Sequence, residues 1–159
     1  MNKRALVETI IAQLARELES CAHSARSAHA EATHEQNKAE NKYDTRALEA
    51  SYLARGQSFQ AAEIEEALRR FGSLDTRTFG PSDAINIGAL VQVEVEGRPI
   101  YYFIGPGAGG MDVLHEKKLV TVITPETPIV RQLLGRKSGD RFSFGSARAR
   151  VEYVIRTVW

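Results

Sequence analysis

Helix-breaking residues are almost missing from the first part of this chain. All 5 prolines lie at Pro81 or later, and of 12 glycines only Gly56 precedes Gly72. Proline removes a backbone donor and clashes with the preceding turn, and glycine carries the largest backbone entropy cost. A stretch this free of both has little to interrupt a helix. After Gly72 the composition turns to Gly, Pro, Val, Ile and aromatic residues. The chain is therefore expected to divide near Gly72-Ser73, into residues 1–73 and 74–159. A length of 159 residues suits one domain or two small ones.

From Lys3 the apolar positions run Leu6, Ile10, Leu14, Leu18, Cys21, Ala25, Ala28, in steps of four and three. That is the spacing of one helical face. A second series runs Tyr43, Ala47, Ala50, Ala54, Gln57, Ala61, Ile64, Leu68, Phe71, a heptad-like seam rich in alanine. Between them residues 34–42 offer no large apolar side chain. The expected structure is an antiparallel helical hairpin, or coiled coil, with its tip near 34–44. Each arm of ~26–30 residues would be about 40–45 Å long. A hairpin that satisfies its own seam should be a monomer.

The second half reads as β-rich. Val91, Val93 and Val95 alternate with Gln92, Glu94 and Glu96, the period of a half-buried strand. Glu96-Gly97-Arg98 is a hairpin turn, and Ile100–Ile104 is the returning strand. Leu119–Ile123, Arg141–Phe144 and Arg150–Trp159 supply three more. On the last, Val151, Tyr153, Ile155, Thr157 and Trp159 share a face. Thr127 suits an N-cap, Pro128 a first helical position and Gly135 a stop, giving one short helix. The fold class is α+β: a hairpin, then roughly five mostly antiparallel strands with one helix.

Composition excludes several classes of function. Hydrophobic residues make up 43% and charged residues 26%, which are globular values. No run approaches the ~18 apolar residues of a membrane span, and the start MNKR lacks an apolar h-region, so neither membrane nor signal peptide is expected. A single cysteine, Cys21, fits a cytoplasmic location. A net charge of +1 does not mark a nucleic-acid binder by bulk charge. Locally, Arg131, Arg136, Lys137, Arg141, Arg148, Arg150 and Arg156 gather in a basic C-terminal region that is either a solvated face or a contact for nascent RNA.

Gly105-Pro-Gly-Ala-Gly-Gly110 fits G-x-G-x-x-G after a strand. A dinucleotide site also needs a helix opening at the loop and an acid about 20 residues on, within a βαβ unit. Neither is expected here, and a mobile hairpin loop accounts for the glycines. The histidines His23, His29, His34 and His115 do not converge at zinc spacing. Cys21 has no base in register, so nucleophilic catalysis is unsupported. The polar set with most chemistry is at the tip: Glu35, Glu40 and Asp44 with Asn37 and Asn41. Such residues either keep a turn soluble or lend oxygen ligands to a hard cation on another molecule.

Two segments carry a family likeness. Val122 to Asp140 reads VITPETPIVRQLLGRKSGD: strand, Thr-Pro, short helix ending Leu-Gly-Arg-Lys, then Gly-Asp before a final hairpin. Glu40-Asn41-Lys42-Tyr43 is similar to a Glu-Asn-x-x-Tyr tip. With the helical hairpin ahead of them, these resemble the Gre family of transcript-cleavage and transcription elongation factors, over nearly the whole chain. The resemblance implies an FKBP-like C-terminal domain that docks on the rim of the RNA polymerase secondary channel. Thr124, Pro125, Ile129 and Arg131 would be its partner-binding residues. It also implies a coiled coil entering the channel. There two tip acids, an Asp and a Glu three residues later, help hold a second magnesium in the polymerase active site.

The tip departs from that pattern. Matching Glu40-Asn41 puts Asn37 where the partner acid belongs, and matching Tyr43 puts Gln36 and Ala39 at the two positions. Asn coordinates through its amide oxygen but brings no charge and no basicity. Glu35 or Asp44 would have to substitute. The expectation is a polymerase-binding elongation regulator with little cleavage stimulation and no cofactor or autonomous activity of its own. At most it lends Glu40 to the shared magnesium.

Two rivals remain. One is a prolyl isomerase or chaperone with a helical appendage, whose proline pocket would draw on Tyr101, Tyr102, Phe103, Phe142, Phe144, Tyr153 and Trp159. The other is a structural protein that dimerises through the Ala-rich seam.

Overall fold

The computed structural model describes residues 1–33, 46–80, 82–146 and 149–159. Two long helices come first, α1 (Lys3–Thr33) and α2 (Arg46–Gly72). The six strands and the short helix follow as β1 (Leu90–Val95), β2 (Arg98–Ile104), β3 (Asp112–His115), β4 (Lys118–Ile123), α3 (Pro128–Leu133), β5 (Arg141–Ser146) and β6 (Ala149–Val158). The chain divides into two compact units. One joins Met1–Ile10 to Arg70–Trp159, and the other is Ile11–Arg69.

Within Ile11–Arg69 the long helices bury the sides their periodicity selects. Leu14 and Cys21 of α1 are buried, with Leu18 and Ala25 half-buried. Ile64 and Ala67 of α2 are buried, with Gln57, Ala61 and Leu68 half-buried. The expected tip, with Glu35, Asn37, Glu40, Asn41, Tyr43 and Asp44, lies outside the described residues.

The other unit is built on one sheet, ordered β3-β4-β2-β1-β6-β5. Two tight hairpins fix its registers. Glu96 (φ 51°) and Gly97 (φ 76°) link β1 to β2, and Glu116 (φ 48°) and Lys117 (φ 62°) link β3 to β4. Positive φ at both central residues matches the right-handed strand twist. One face carries Val91, Val93, Ile104, Ile123 and Ile155, packed against Ile129, Val130 and Leu133 of α3 and against Phe79 and Ile85. Leu90, Phe103, Val120 and Val122 are also fully buried, and Phe71 stacks on Phe103 at 6.2 Å. The first turn of α1 belongs to this unit. Asn2 caps it by accepting the Ala5 N–H, and the Asn2 N–H donates to Glu116 at 2.8 Å.

Three expectations are corrected. The sheet has six strands and is mixed, because β2 and β4 pair in parallel. The additional strand is β3, where the usual polarity is inverted: Leu114 is 72% exposed and His115 only 8%. The face of β6 also changes. Val93 pairs with Ile155 but Gln92 with Thr157, so Arg156 is an extra residue at a β-bulge. The shift turns Val158 inward, to 6% exposure, in place of Thr157 and Trp159.

Candidate functional site

The parallel pair β2 and β4 brings two loops together at its carboxyl end, residues 105–111 and 124–127. The first is not a hairpin loop, because β2 and β3 do not pair, and its backbone is bonded to β4. Gly105 donates to Ile123, Gly110 to Val122 and Met111 to Ala108, while Val122 donates back to Met111, at 2.8–3.2 Å. A Cβ on Gly105 would lie 2.9 Å from Val122 Cγ1 and 3.0 Å from Phe71 Cζ, and one on Gly109 would lie 3.1 Å from Thr124. Close packing therefore accounts for these two glycines. The loop leads into β3 rather than a helix, so the G-x-G-x-x-G pattern has no dinucleotide context.

The second loop is the Thr-Pro-Glu-Thr-Pro segment. Thr127 sits at the N-cap of α3 without capping it through its side chain. Its Oγ1 instead accepts the Thr124 N–H at 3.4 Å, while the Thr127 N–H donates to Thr124 at 2.9 Å. These bonds close a turn that leaves Glu126 exposed. Glu126 accepts a hydrogen bond from the Thr124 side chain, which is the main reason its carboxyl sits below the usual range. Its own backbone N–H and the guanidinium groups of Arg70 and Arg131 act in the same direction.

Of the expected partner-binding residues, Thr124 and Pro125 are half-buried and Arg131 is exposed. Ile129 is 7% exposed and belongs to the core, so it anchors α3 instead of presenting a side chain. Sequence reasoning missed Glu126 and Arg70. Arg70 lies at the far end of α2, and its Nη1 donates to Pro106 at 3.2 Å, which brings it to this end of the sheet. Only the position of Glu126 between two Thr-Pro pairs signalled it.

Three of the seven basic C-terminal residues are engaged within the chain. Arg156 forms a two-pronged pair with Glu94 at 2.7 and 3.1 Å, which holds the Glu94 carboxyl low. Arg141 pairs with Glu152 at 3.5 Å. Arg136 donates to the carbonyls of Gln132 and Arg141 and lies over the Phe142 ring. Arg148 lies outside the described residues. A groove of about 320 Å³ beside these strands is lined by Glu94, Glu96, Arg150 and Glu152, so its chemistry is ionic and mixed in sign.

The aromatic residues serve packing. Phe103 and Phe142 are buried, Phe142 stacks on Tyr153 at 5.1 Å, and Phe144 meets Tyr153 edge-on at 6.0 Å. Burial, with Tyr153 beside it, pushes the Tyr102 phenol up. Among the described residues no group of three or more His, Cys, Asp and Glu side chains is arranged to hold a metal ion. No helix among them is long and apolar enough to cross a membrane.

No family model matches the chain, and no curated protein sequence matches it. Solved structures similar to it include GreA factor homolog 1 of Thermus thermophilus, at 20% identity and a TM-score of 0.38 over 94% of each chain. A structure described as the transcription factor Gfh1 is 20% identical, with a TM-score of 0.39 over 94% of this chain and 93% of that one. Thermus aquaticus Gfh1 is 19% identical, with a TM-score of 0.39 over 95% of this chain and 92% of that one.

Proposed function

We propose that this chain is an RNA-polymerase-binding regulator of transcription elongation of the Gre type. One observation carries the reading. The segment from Val122 to Asp140 folds in the order that the sequence resemblance implies. The end of β4 leads into a closed Thr-Pro turn and then α3. Gly135 follows at φ 80°, Asp140 accepts the Lys137 N–H, and β5–β6 completes the order. In this reading the exposed Glu126 and Arg131 and the half-buried Pro125 meet the rim of the polymerase secondary channel. The helical hairpin enters the channel and occupies it.

The tip donors fit a hard cation poorly. In the Glu40 register they are one carboxylate and the amides of Asn37 and Asn41, and magnesium sites rest on anionic oxygen ligands. The proposal is therefore occupancy of the channel without efficient RNA cleavage, and no enzymatic activity of the chain alone.

Retention of the full chain on immobilised core polymerase tests the reading. Wild type should be retained. The double variant Pro125→Ala, Arg131→Glu should elute with the unbound fraction while keeping its circular dichroism and melting temperature. Equal retention of the two would remove the docking assignment, and failure of wild type to bind would remove the function.

A further inference from the structure

α2 has two sides, and the fold uses one of them. Ile64, Ala67 and Phe71 are buried, with Gln57, Ala61 and Leu68 half-buried. At 3.6 residues per turn the opposite side carries Tyr52, Arg55, Gly56, Phe59, Ala62 and Glu63. All six are exposed, with Tyr52 at 64% and Phe59 at 69%. We propose that this side of α2 is a self-association surface. On it a second copy of this chain lays its own α2 antiparallel, about a two-fold axis at Phe59.

Gly56 is the first support. A glycine inside a helix costs roughly 0.5–1 kcal/mol relative to alanine. A Cβ at Gly56 would meet nothing within 4 Å, so among the described residues no contact requires its absence. Close approach of another helix backbone would require it.

Charge is the second support, and it selects both occupant and direction. Arg55 and Glu63 lie four residues to either side of Phe59. Among the described residues neither forms an ion pair. In the antiparallel register Phe59 meets Phe59 of the second copy, Arg55 meets its Glu63, and Gly56 meets its Ala62. The symmetry makes each of the last two pairings twice. A parallel arrangement would put Arg55 on Arg55 and Glu63 on Glu63. The pattern is self-complementary, which points to a second copy and not to an unrelated helix.

Area sets the strength. Buried aromatic side chains cover ~150–250 Å² each, so two Tyr52 and two Phe59, with the small residues between them, give roughly 1,000 Å² in total. That is the low end of specific interfaces. The dimer should be weak, with Kd on the order of 10–100 μM. The expectation of a monomer follows from the opposite, seam side of the helix and does not bear on this face. Nor does the inference rest on the polymerase reading.

Sedimentation equilibrium of the full chain, from about 5 to about 500 μM, reads the result directly. The mass should rise with concentration from 17.6 kDa toward twice that value. Phe59→Glu should weaken association at least tenfold. Arg55→Glu and Glu63→Arg should each weaken it several-fold, and the two together should restore it, because only the antiparallel two-fold register pairs them. Far-ultraviolet circular dichroism confirms that each variant stays helical. Should Phe59→Glu lose helix, the charge-swap series decides alone. A constant 17.6 kDa up to the highest concentration would overturn the proposal. So would a dimer indifferent to Phe59→Glu, or a double swap that fails to restore association.

Discussion

The Lys3 ammonium and the main-chain oxygen of Trp159 meet at 3.2 Å, joining the first turn of α1 to the residue that follows β6. The same Nζ donates to the Arg77 carbonyl and lies 4.5 Å from the centre of the Phe79 ring. Lys3 is 7% exposed. With Glu116 accepting the Asn2 N–H, this contact ties residues 1–10 to the sheet and explains why they belong to its unit.

Burial is the main reason that the Lys3 pKa falls to about 8; Asp75 opposes the shift and Arg77 adds to it. An unfolded lysine keeps its proton to about 10.4. Between those values the unfolded chain holds more protons than the folded one, so stability rises with pH through that window. Below it both states are protonated and this group's contribution is flat. From about pH 7.5 to about pH 9.5 the gain should be on the order of 2 kcal/mol. Urea unfolding at the two pH values checks it. Lys3→Met should be flat over the same range, and an equal gain in the variant would assign the effect elsewhere.

The bulge at Arg156 makes an unequal pair of neighbours. Val158 is 6% exposed in the core, whereas Thr157 is half-buried. Val158→Ala should cost about 2 kcal/mol through lost burial and a residual cavity. Thr157→Ala should stay within about 0.5 kcal/mol. Thermal or urea unfolding of the two variants compares them. Equal costs would mean that β6 runs in unbroken alternation.

Gly105 is where packing forbids a side chain. An added Cβ would meet Val122 Cγ1, the Gly107 carbonyl oxygen and Phe71 Cζ, all at 2.9–3.0 Å. Two of these atoms belong to buried side chains and one to backbone, so none gives way easily. Gly105→Ala should destabilise by about 1–3 kcal/mol. Gly97→Ala is not a neutral control, since its φ of 76° strains any side chain. Gly56→Ala is better, with open space and helical backbone, and should stabilise the monomer by about 0.5–1 kcal/mol. Loss of stability at Gly56 but not at Gly105 would reverse the argument.

What was legible in the sequence was what neighbouring residues decide. The near-absence of Pro and Gly marked the helical part, the Val91–Val95 alternation and Glu96-Gly97 marked the first hairpin, and Thr127-Pro128 marked the start of α3. What was not legible depends on partners distant in sequence. Leu114 and His115 swap their usual places because β3 is defined by pairing with β4. The bulge at Arg156 exists only in the register with β1. The parallel pairing of β2 with β4 leaves no mark in either strand alone. In the candidate site Thr124, Pro125 and Arg131 were named only through the family resemblance of residues 122–140, not through turn chemistry. The burial of Ile129 and the arrival of Arg70 beside the loop required the fold.

The tip yields the sharpest functional prediction, and it rests on charge. Glu40 alone keeps the Glu-Asn dipeptide, and its partner position three residues earlier is Asn37. Each anionic ligand offsets part of the cost of stripping water from a divalent cation, so one carboxylate is a poor substitute for two. On a backtracked polymerase complex the native protein should stimulate RNA cleavage little or not at all. Asn37→Asp should raise cleavage, since it restores an acid three residues before Glu40. Glu40→Ala should remove whatever activity remains and leave retention on polymerase unchanged, because the proposed docking residues lie in the other unit. Strong native cleavage that survives Glu40→Ala would sink this register and move the assignment to Glu35 and Asp44. If no tip substitution changes cleavage or competition for the channel, residues 34–44 are a solvated turn and nothing more.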